Sequence, residues 1–342
     1  MNARISRVVA ATGVAVSMAA SVTVIAQTRQ TGPAQTQTES TWTARTPWGD
    51  PDYQGEWTSE GEYGVPFERP AQYGTRAFLT DAEYAKRLED VRTRDERDLA
   101  PVDVTAGKVD APNAPIPHWR EYNTNSRRTS LIVDPPDGRL PKRTPQAAPP
   151  PAPQRCGSLQ RGEPCDSYED YGLGVRCIVH GGGFPDAMFP AVYDANFRIV
   201  QSPGFVAITY ELIHDTRVIP IYSSPQHDWQ VPSGIPSYMG TARGWWEGST
   251  LVVESGAFKV ATRGASRQLR LIERFTRTTR DLIEYRVTFV DPSTWVAPFT
   301  AALDLKSRHD AIGVFEYACH EGNYGLEHML KVSRMLDKPA GK

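Results

Sequence analysis

The 342-residue chain lacks most of what would assign it a partner or a cofactor at sight. Its 38 Lys and Arg are outnumbered by 40 Asp and Glu, so there is no basic excess to meet a nucleic-acid backbone and no lysine-rich stripe for a membrane surface. A Gly-x-Ser-x-Gly nucleophile elbow does not occur. Nor does the metalloprotease pattern His-Glu-x-x-His: His320-Glu321 runs on into Gly322-Asn323-Tyr324, and His328 lies outside that spacing. Gly181-Gly182-Gly183 after His180 opens no strand-to-helix phosphate loop and reads as a flexible loop. These absences point to a protein that works without a cofactor and without a resident metal, on a small molecule. Long apolar runs are missing too. The apolar run 8–20, which holds no charge, is too short, and too rich in small residues, for a membrane helix of about 20 strongly apolar residues.

That same stretch fits an export signal. Arg4 and Arg7 precede it, and Val24-Ile25-Ala26 offers small residues for cleavage, so residues 1–26 are expected to be removed and the mature chain to begin near Gln27. The arginines are not adjacent and no cysteine follows the site, which favours the general secretion route without a lipid anchor or later membrane insertion. Removal of the two arginines moves the formal charge from -2 to -4. The destination is periplasmic or secreted.

Cysteine is scarce but even in number: Cys156, Cys165, Cys177 and Cys319. In an oxidising compartment disulfides are the leading reading. Of the three pairings, Cys156 with Cys165 closes a local loop and leaves Cys177 to tie the middle of the chain to Cys319, a long-loop bridge contributing roughly 4 to 5 kcal/mol in the chain-entropy model. Zinc is the rival, against which stand irregular spacings and the lack of Cys-x-x-Cys.

Composition divides the rest. Residues 27–44, rich in Thr, Gln and Ser, read as a disordered tail. Residues 45–134 hold a first strand at Gly55-Glu56-Trp57, like the Gly-x-Trp that opens lipocalin-type barrels, and one helix with the capping box Thr80-Asp81-Ala82-Glu83. Prolines make 135–154 an extended strap. Residues 155–338 turn to β, with candidate strands at 197–201, 205–213, 217–222, 251–254, 269–276, 282–290, 299–305 and 314–319, and a last helix over 326–336. Ile283, Tyr285, Val287 and Phe289 share one face, as a half-buried strand requires. Consecutive strands with short links predict an all-β fold in one structural domain: an antiparallel up-and-down meander closing into a lipocalin-like barrel, with one or two peripheral helices and space inside for a small ligand.

Several segments resemble a family of exported bacterial β-rich proteins: Thr46-Pro47-Trp48-Gly49-Asp50-Pro51-Asp52, the run from Arg128 to Arg139, Ile213-His214-Asp215-Thr216-Arg217, Trp246-Glu247-Gly248, and Glu316-Tyr317-Ala318-Cys319-His320-Glu321-Gly322-Asn323-Tyr324. The resemblance samples most of the chain and supplies no reaction. It implies that Cys177 and Cys319 belong to a common plan, with Cys156 and Cys165 an addition, and that Trp245 stands where similar proteins often carry arginine.

Chemistry is expected at two stretches where an imidazole adjoins a carboxylate, since imidazole is the group that shuttles protons near neutrality. His320 with Glu321 ranks first, at a disulfide-anchored strand end, and His214 with Asp215 second. Arg217 is the candidate stabiliser of a developing anion. Tyr210, Glu211, Trp246, Asn323 and Tyr324 are candidate ligand contacts. Period-2 geometry splits each adjacent pair across two faces unless the strand ends between them, so the site is expected between the stretches. The bland alternative is an ion-paired network of Glu211, Asp215 and Arg217 along the sheet, with 320–324 as a polar plug and the tryptophans as core. The function expected is an exported enzyme of lyase, isomerase or hydratase type acting on a small apolar or aromatic molecule in the barrel. A periplasmic binding or carrier protein is the alternative.

Overall fold

In a computed structural model the described residues are 41–98, 126–149, 167–179, 184–185, 188–191, 193–225, 235–260, 262–308 and 313–336. Cys156, Cys165, His180 and the triple glycine fall outside them, as does the predicted signal segment. The strands are β1 (Gly55–Thr58), β2 (Ile132–Asp134), β3 (Asn196–Ser202), β4 (Phe205–Tyr210), β5 (Thr216–Tyr222), β6 (Thr241–Glu247), β7 (Thr250–Gly256), β8 (Arg270–Thr279), β9 (Leu282–Val290) and β10 (Phe299–Ser307). Nine of them close a barrel in the order β1-β3-β4-β5-β6-β7-β8-β9-β10 and back to β1, with β2 added against β10. Trp57 on β1 sits opposite Phe197 on one side and Ser307 on the other. The Gly-Glu-Trp strand is thus a stave of the barrel, and closure through it removes the long edges.

The all-β barrel predicted from alternation is present, but it is mixed and not strictly up-and-down. β5 and β6 run parallel, Ile221 opposite Gly244 and Tyr222 opposite Trp245. A parallel pair cannot be joined by a tight hairpin, and 18 residues, 223–240, separate the two strands in the sequence. β6 escapes a pattern search because Thr241-Ala242-Arg243-Gly244-Trp245-Trp246-Glu247 does not alternate. Gly244 has a packing reason: a Cβ there would lie 2.8 Å from Ile221 Cδ1.

Two other expectations are corrected. Residues 314–319 form no strand; the preceding strand β10 is already paired with β9 on one side and with β1 and β2 on the other, so it offers them no edge. Order begins by Thr41, ahead of the predicted boundary at 44, because Thr41 N and Oγ1 both donate to Thr278 O and Trp42 Nε1 donates to Asp52 O.

Inward positions follow the period-2 pattern. Ile208, Val253, Leu271, Phe275, Tyr285 and Val287 are 0% exposed, so no water-sized space touches them. The rings of Phe289 and Phe299 stack at 4.5 Å and those of Phe275 and Tyr285 meet at 4.8 Å. Side chains fill the centre where a ligand space was expected.

Outside it, α1 (Asp81–Asp98) starts at the expected capping box: Thr80 N donates to Glu83 Oε2 and Glu83 N to Thr80 Oγ1. The proline strap is pinned at Thr144 N to Thr294 O and Val296 N to Lys142 O. α2 (Gly325–Leu336) lies apart from the main core, with Leu326, Met329 and Leu330 packed on Tyr171 and Val175.

Candidate functional site

β4 ends at Tyr210, and a tight 3-10 turn, Leu212–His214, leads to β5. The strand therefore ends before the His214 and Asp215 pair, as a shared site would need. Within the turn Ile213 has φ 64° and His214 φ 49°. Two successive left-handed residues without glycine, one β-branched, are costly and need support from the surroundings.

Glu211 gives that support. It is buried, and its carboxylate accepts from Asn196 Nδ2 at 2.6 Å and Phe315 N at 2.8 Å, with Arg308 Nη1 at 3.8 Å. His214 N donates to Glu211 O. Glu211 is thus a clamp between the turn and the segment 313–319, which corrects its assignment as a ligand contact. The clamp lays that segment across the turn, and His214 Nδ1 comes 3.0 Å from Tyr317 O. A carbonyl oxygen only accepts, so Nδ1 carries the proton and a neutral ring leaves its lone pair on Nε2. His214 itself is exposed.

Tyr317 belongs to a groove of about 450 Å³ whose walls include Val175, Glu316, Cys319, Asn323, Leu326 and Met329. The Cys177–Cys319 disulfide joins its two sides, with Cα atoms 5.7 Å apart. Asn323 is held by its Nδ2 on Cys177 Sγ at 3.4 Å and by accepting from Gly325 N at 3.1 Å, an Asx-type turn that leads into α2. Burial, then the neighbouring Tyr193, push the Tyr317 phenol above its ordinary value of 10.0, so it stays protonated as a donor. His320 and Glu321 are exposed in the turn before α2. Tyr324, 65% exposed, stacks on His328.

The structure thus brings His214 to the backbone of 315–317, behind the groove that Tyr317 and Asn323 line, and His214 itself is not one of the groove's lining residues. It does not bring Arg217 or Tyr210 to them. Arg217 is 3% exposed inside the barrel, its Nη1 bonded to Glu273 Oε1 at 2.9 Å and its Nη2 to Ser255 Oγ at 2.6 Å. Tyr285 donates to Glu273 Oε1 at 3.0 Å. Burial would lower the Arg217 pKa, but the Glu273 carboxylate outweighs it and the net direction is up. Burial raises the phenols of Tyr210 and Tyr285. Arg217 therefore cannot serve an anion formed at His214. The expected Glu211, Asp215 and Arg217 network is replaced by this one, with Asp215 half-buried at the turn and its carbonyl accepting from Tyr210 N. Trp246 is partly buried and packs against the core, 5.6 Å from the Tyr53 ring.

Glu273, Ser255 and Tyr285 were not among the predicted site residues. A signal for Glu273 lay in β8, where Leu271, Glu273, Phe275 and Arg277 share the buried face: two charges in phase with apolar neighbours. Among the described residues no three His, Cys, Asp or Glu side chains converge on a metal position, and no helix is long and apolar enough to cross a membrane. No protein-family model, curated protein or solved structure matches the chain.

Proposed function

We propose that this chain is an exported enzyme acting by general acid-base catalysis, with no cofactor, on a small apolar or aromatic molecule bound in the groove beside Cys319. The contact of His214 Nδ1 with the Tyr317 carbonyl carries the reading. A general base needs a fixed ring and a free lone pair; the carbonyl fixes one nitrogen and leaves the other to take a proton. Strain in the turn supports the assignment, because left-handed backbone at Ile213 and His214 is maintained by Glu211 at a cost. The half-buried Tyr317 phenol, hydrogen-bonded to Tyr193, is the donor for an oxyanion formed when a proton leaves carbon. Proton abstraction followed by elimination, addition or return fits a lyase, hydratase or isomerase. His320 and Glu321, at the rim, fall behind His214 in this reading. Export to the periplasm is supported by the N-terminal charge and apolar pattern together with the disulfide.

The test is deuterium incorporation from heavy water into a panel of enolisable aromatic ketones and aryl-substituted acids, followed by mass spectrometry. Wild-type protein should exchange at least one of them, and His214→Ala should be slower by about 10² or more. Equal exchange by both proteins sinks the role of His214. The apolar wall of Val175, Leu326 and Met329 favours the non-catalytic alternative, a binding or carrier protein, and saturable binding without exchange by wild type would select it.

A further inference from the structure

The barrel centre holds a polar constellation that the groove does not use. Arg217 and Glu273 balance each other's charge there, and the Ser255 and Tyr285 hydroxyls donate the further hydrogen bonds that the Glu273 carboxylate accepts. Two donors beside them are poorly served. Arg217 Nε is buried without a hydrogen bond of good geometry, a further neighbour of the guanidinium being the Tyr210 hydroxyl, whose pKa burial raises and the guanidinium lowers. The Tyr210 hydroxyl donates to the thioether sulfur of Met188 at 3.1 Å, a weak acceptor for a fully buried phenol. Unserved buried donors are costly and call for a physical reason.

The groups that occupy this place are not part of the barrel wall. Phe184 and Met188 are both 0% exposed, yet neither belongs to a strand. The Phe184 ring lies 4.2 Å from the Arg217 guanidinium carbon, a cation-π arrangement. An aromatic ring and a soft acceptor thus sit against a guanidinium and a phenol, which is what a bound small molecule with a ring and an acceptor atom would present.

We propose that the barrel centre is a binding site for a neutral aromatic carbonyl compound, and that Phe184 and Met188 fill it in the ligand's stead. The ring is called for by the guanidinium face. An oxygen acceptor with two lone pairs is called for by Arg217 Nε and the Tyr210 hydroxyl. Neutrality follows from Glu273, which already compensates Arg217, so a carboxylate ligand would add an unpaired charge to an apolar interior. Ligand and side chains compete for one space; removing Phe184 removes the competitor.

The probes are acetophenone, its apolar analogue ethylbenzene, and benzoate, titrated calorimetrically into the full chain carrying methyl-13C methionine. Wild type should bind acetophenone saturably, with the Met188 methyl resonance shifting and that of Met329 in the groove unmoved. Phe184→Ala should bind it at least tenfold tighter than wild type, and at least tenfold tighter than it binds ethylbenzene or benzoate; Tyr210→Phe should lose at least tenfold. Should Phe184→Ala fail to fold by near-ultraviolet circular dichroism, Met188→Ala takes its place in the calorimetric comparisons. The proposal is overturned by any of three results: no saturable binding, equal affinity for ethylbenzene, or a shift confined to Met329.

Discussion

Arg217 on β5 and Glu273 on β8 meet in the middle of the barrel with both guanidinium terminal nitrogens on the carboxylate. The two are 2% and 0% exposed at the side chain, so the pair is shielded from solvent and from salt. Removing one partner leaves the other charge uncompensated in an apolar surrounding. Arg217→Met should therefore cost about 3 to 5 kcal/mol in urea unfolding, and the double variant Arg217→Met with Glu273→Leu should recover most of it. A single variant within 1 kcal/mol of wild type, on the order of a surface pair, would contradict the placement.

The disulfide should act on the end of the chain more than on the barrel. Among the described residues α2 packs on the satellite cluster around Tyr171 and Val175, and the bridge holds that cluster's segment to 313–319. With both Cys177 and Cys319 changed to Ser, amide exchange over 325–336 should rise at least tenfold while β7, β8 and β9 keep their protection. Uniform loss across all strands would mean that the bridge holds the barrel itself.

His214 should show a fixed tautomer. Nitrogen-15 spectra of the imidazole are expected to give a protonated Nδ1 and a bare Nε2 in the neutral ring, as the Tyr317 carbonyl demands. The opposite tautomer would remove the basis for the base assignment.

Strain at the same residue predicts a trade between stability and chemistry. His214 is exposed with φ 49°, a region glycine enters freely. His214→Gly is expected to match wild-type stability or exceed it by up to about 1 kcal/mol while losing proton exchange. Destabilisation by more than about 1 kcal/mol, a typical value for a lost interaction, would show that the turn depends on the imidazole.

Glu83 gives a pH prediction with a definite sign. The Arg76 guanidinium, then the Thr80 backbone and hydroxyl, hold its carboxyl down from 4.5 to about 2. A depressed acid binds fewer protons folded than unfolded, so its contribution is complete above the unfolded value and is lost as pH falls through the folded one. Carbon-13 titration should place its midpoint near 2, and fraying of the α1 start should follow acidification through that range. A midpoint at 4.5 would deny the capping box seen at Thr80.

Much of the barrel was legible from spacing. In β9 the inward row of Ile283, Tyr285, Val287 and Phe289 follows from the pleat alone, because successive side chains must point to opposite faces. The helix start at Thr80 was legible for a similar local reason, since both partners of the box lie within one turn. β6 was not, because three aromatic or charged residues in a row and Gly244 carry no period. The Val314 segment misled for the converse reason: it looks like a strand, but β10, which precedes it, is already paired on both sides.

The candidate site divides the same way. Sequence alone determined that Glu273 lies in phase with Leu271 and Phe275, that His214 adjoins a carboxylate, and that the two His-carboxylate stretches hold the chain's best proton-transfer groups. Those facts concern neighbours along the backbone, where covalent geometry sets direction. Tertiary structure alone decided that Arg217 pairs with Glu273, that Glu211 clamps Phe315, and that His214 reaches the Tyr317 carbonyl. Each of these joins residues far apart in the chain, and which of several chemically suitable partners is met depends on barrel closure, the parallel β5 and β6 seam, and the Cys177–Cys319 bridge.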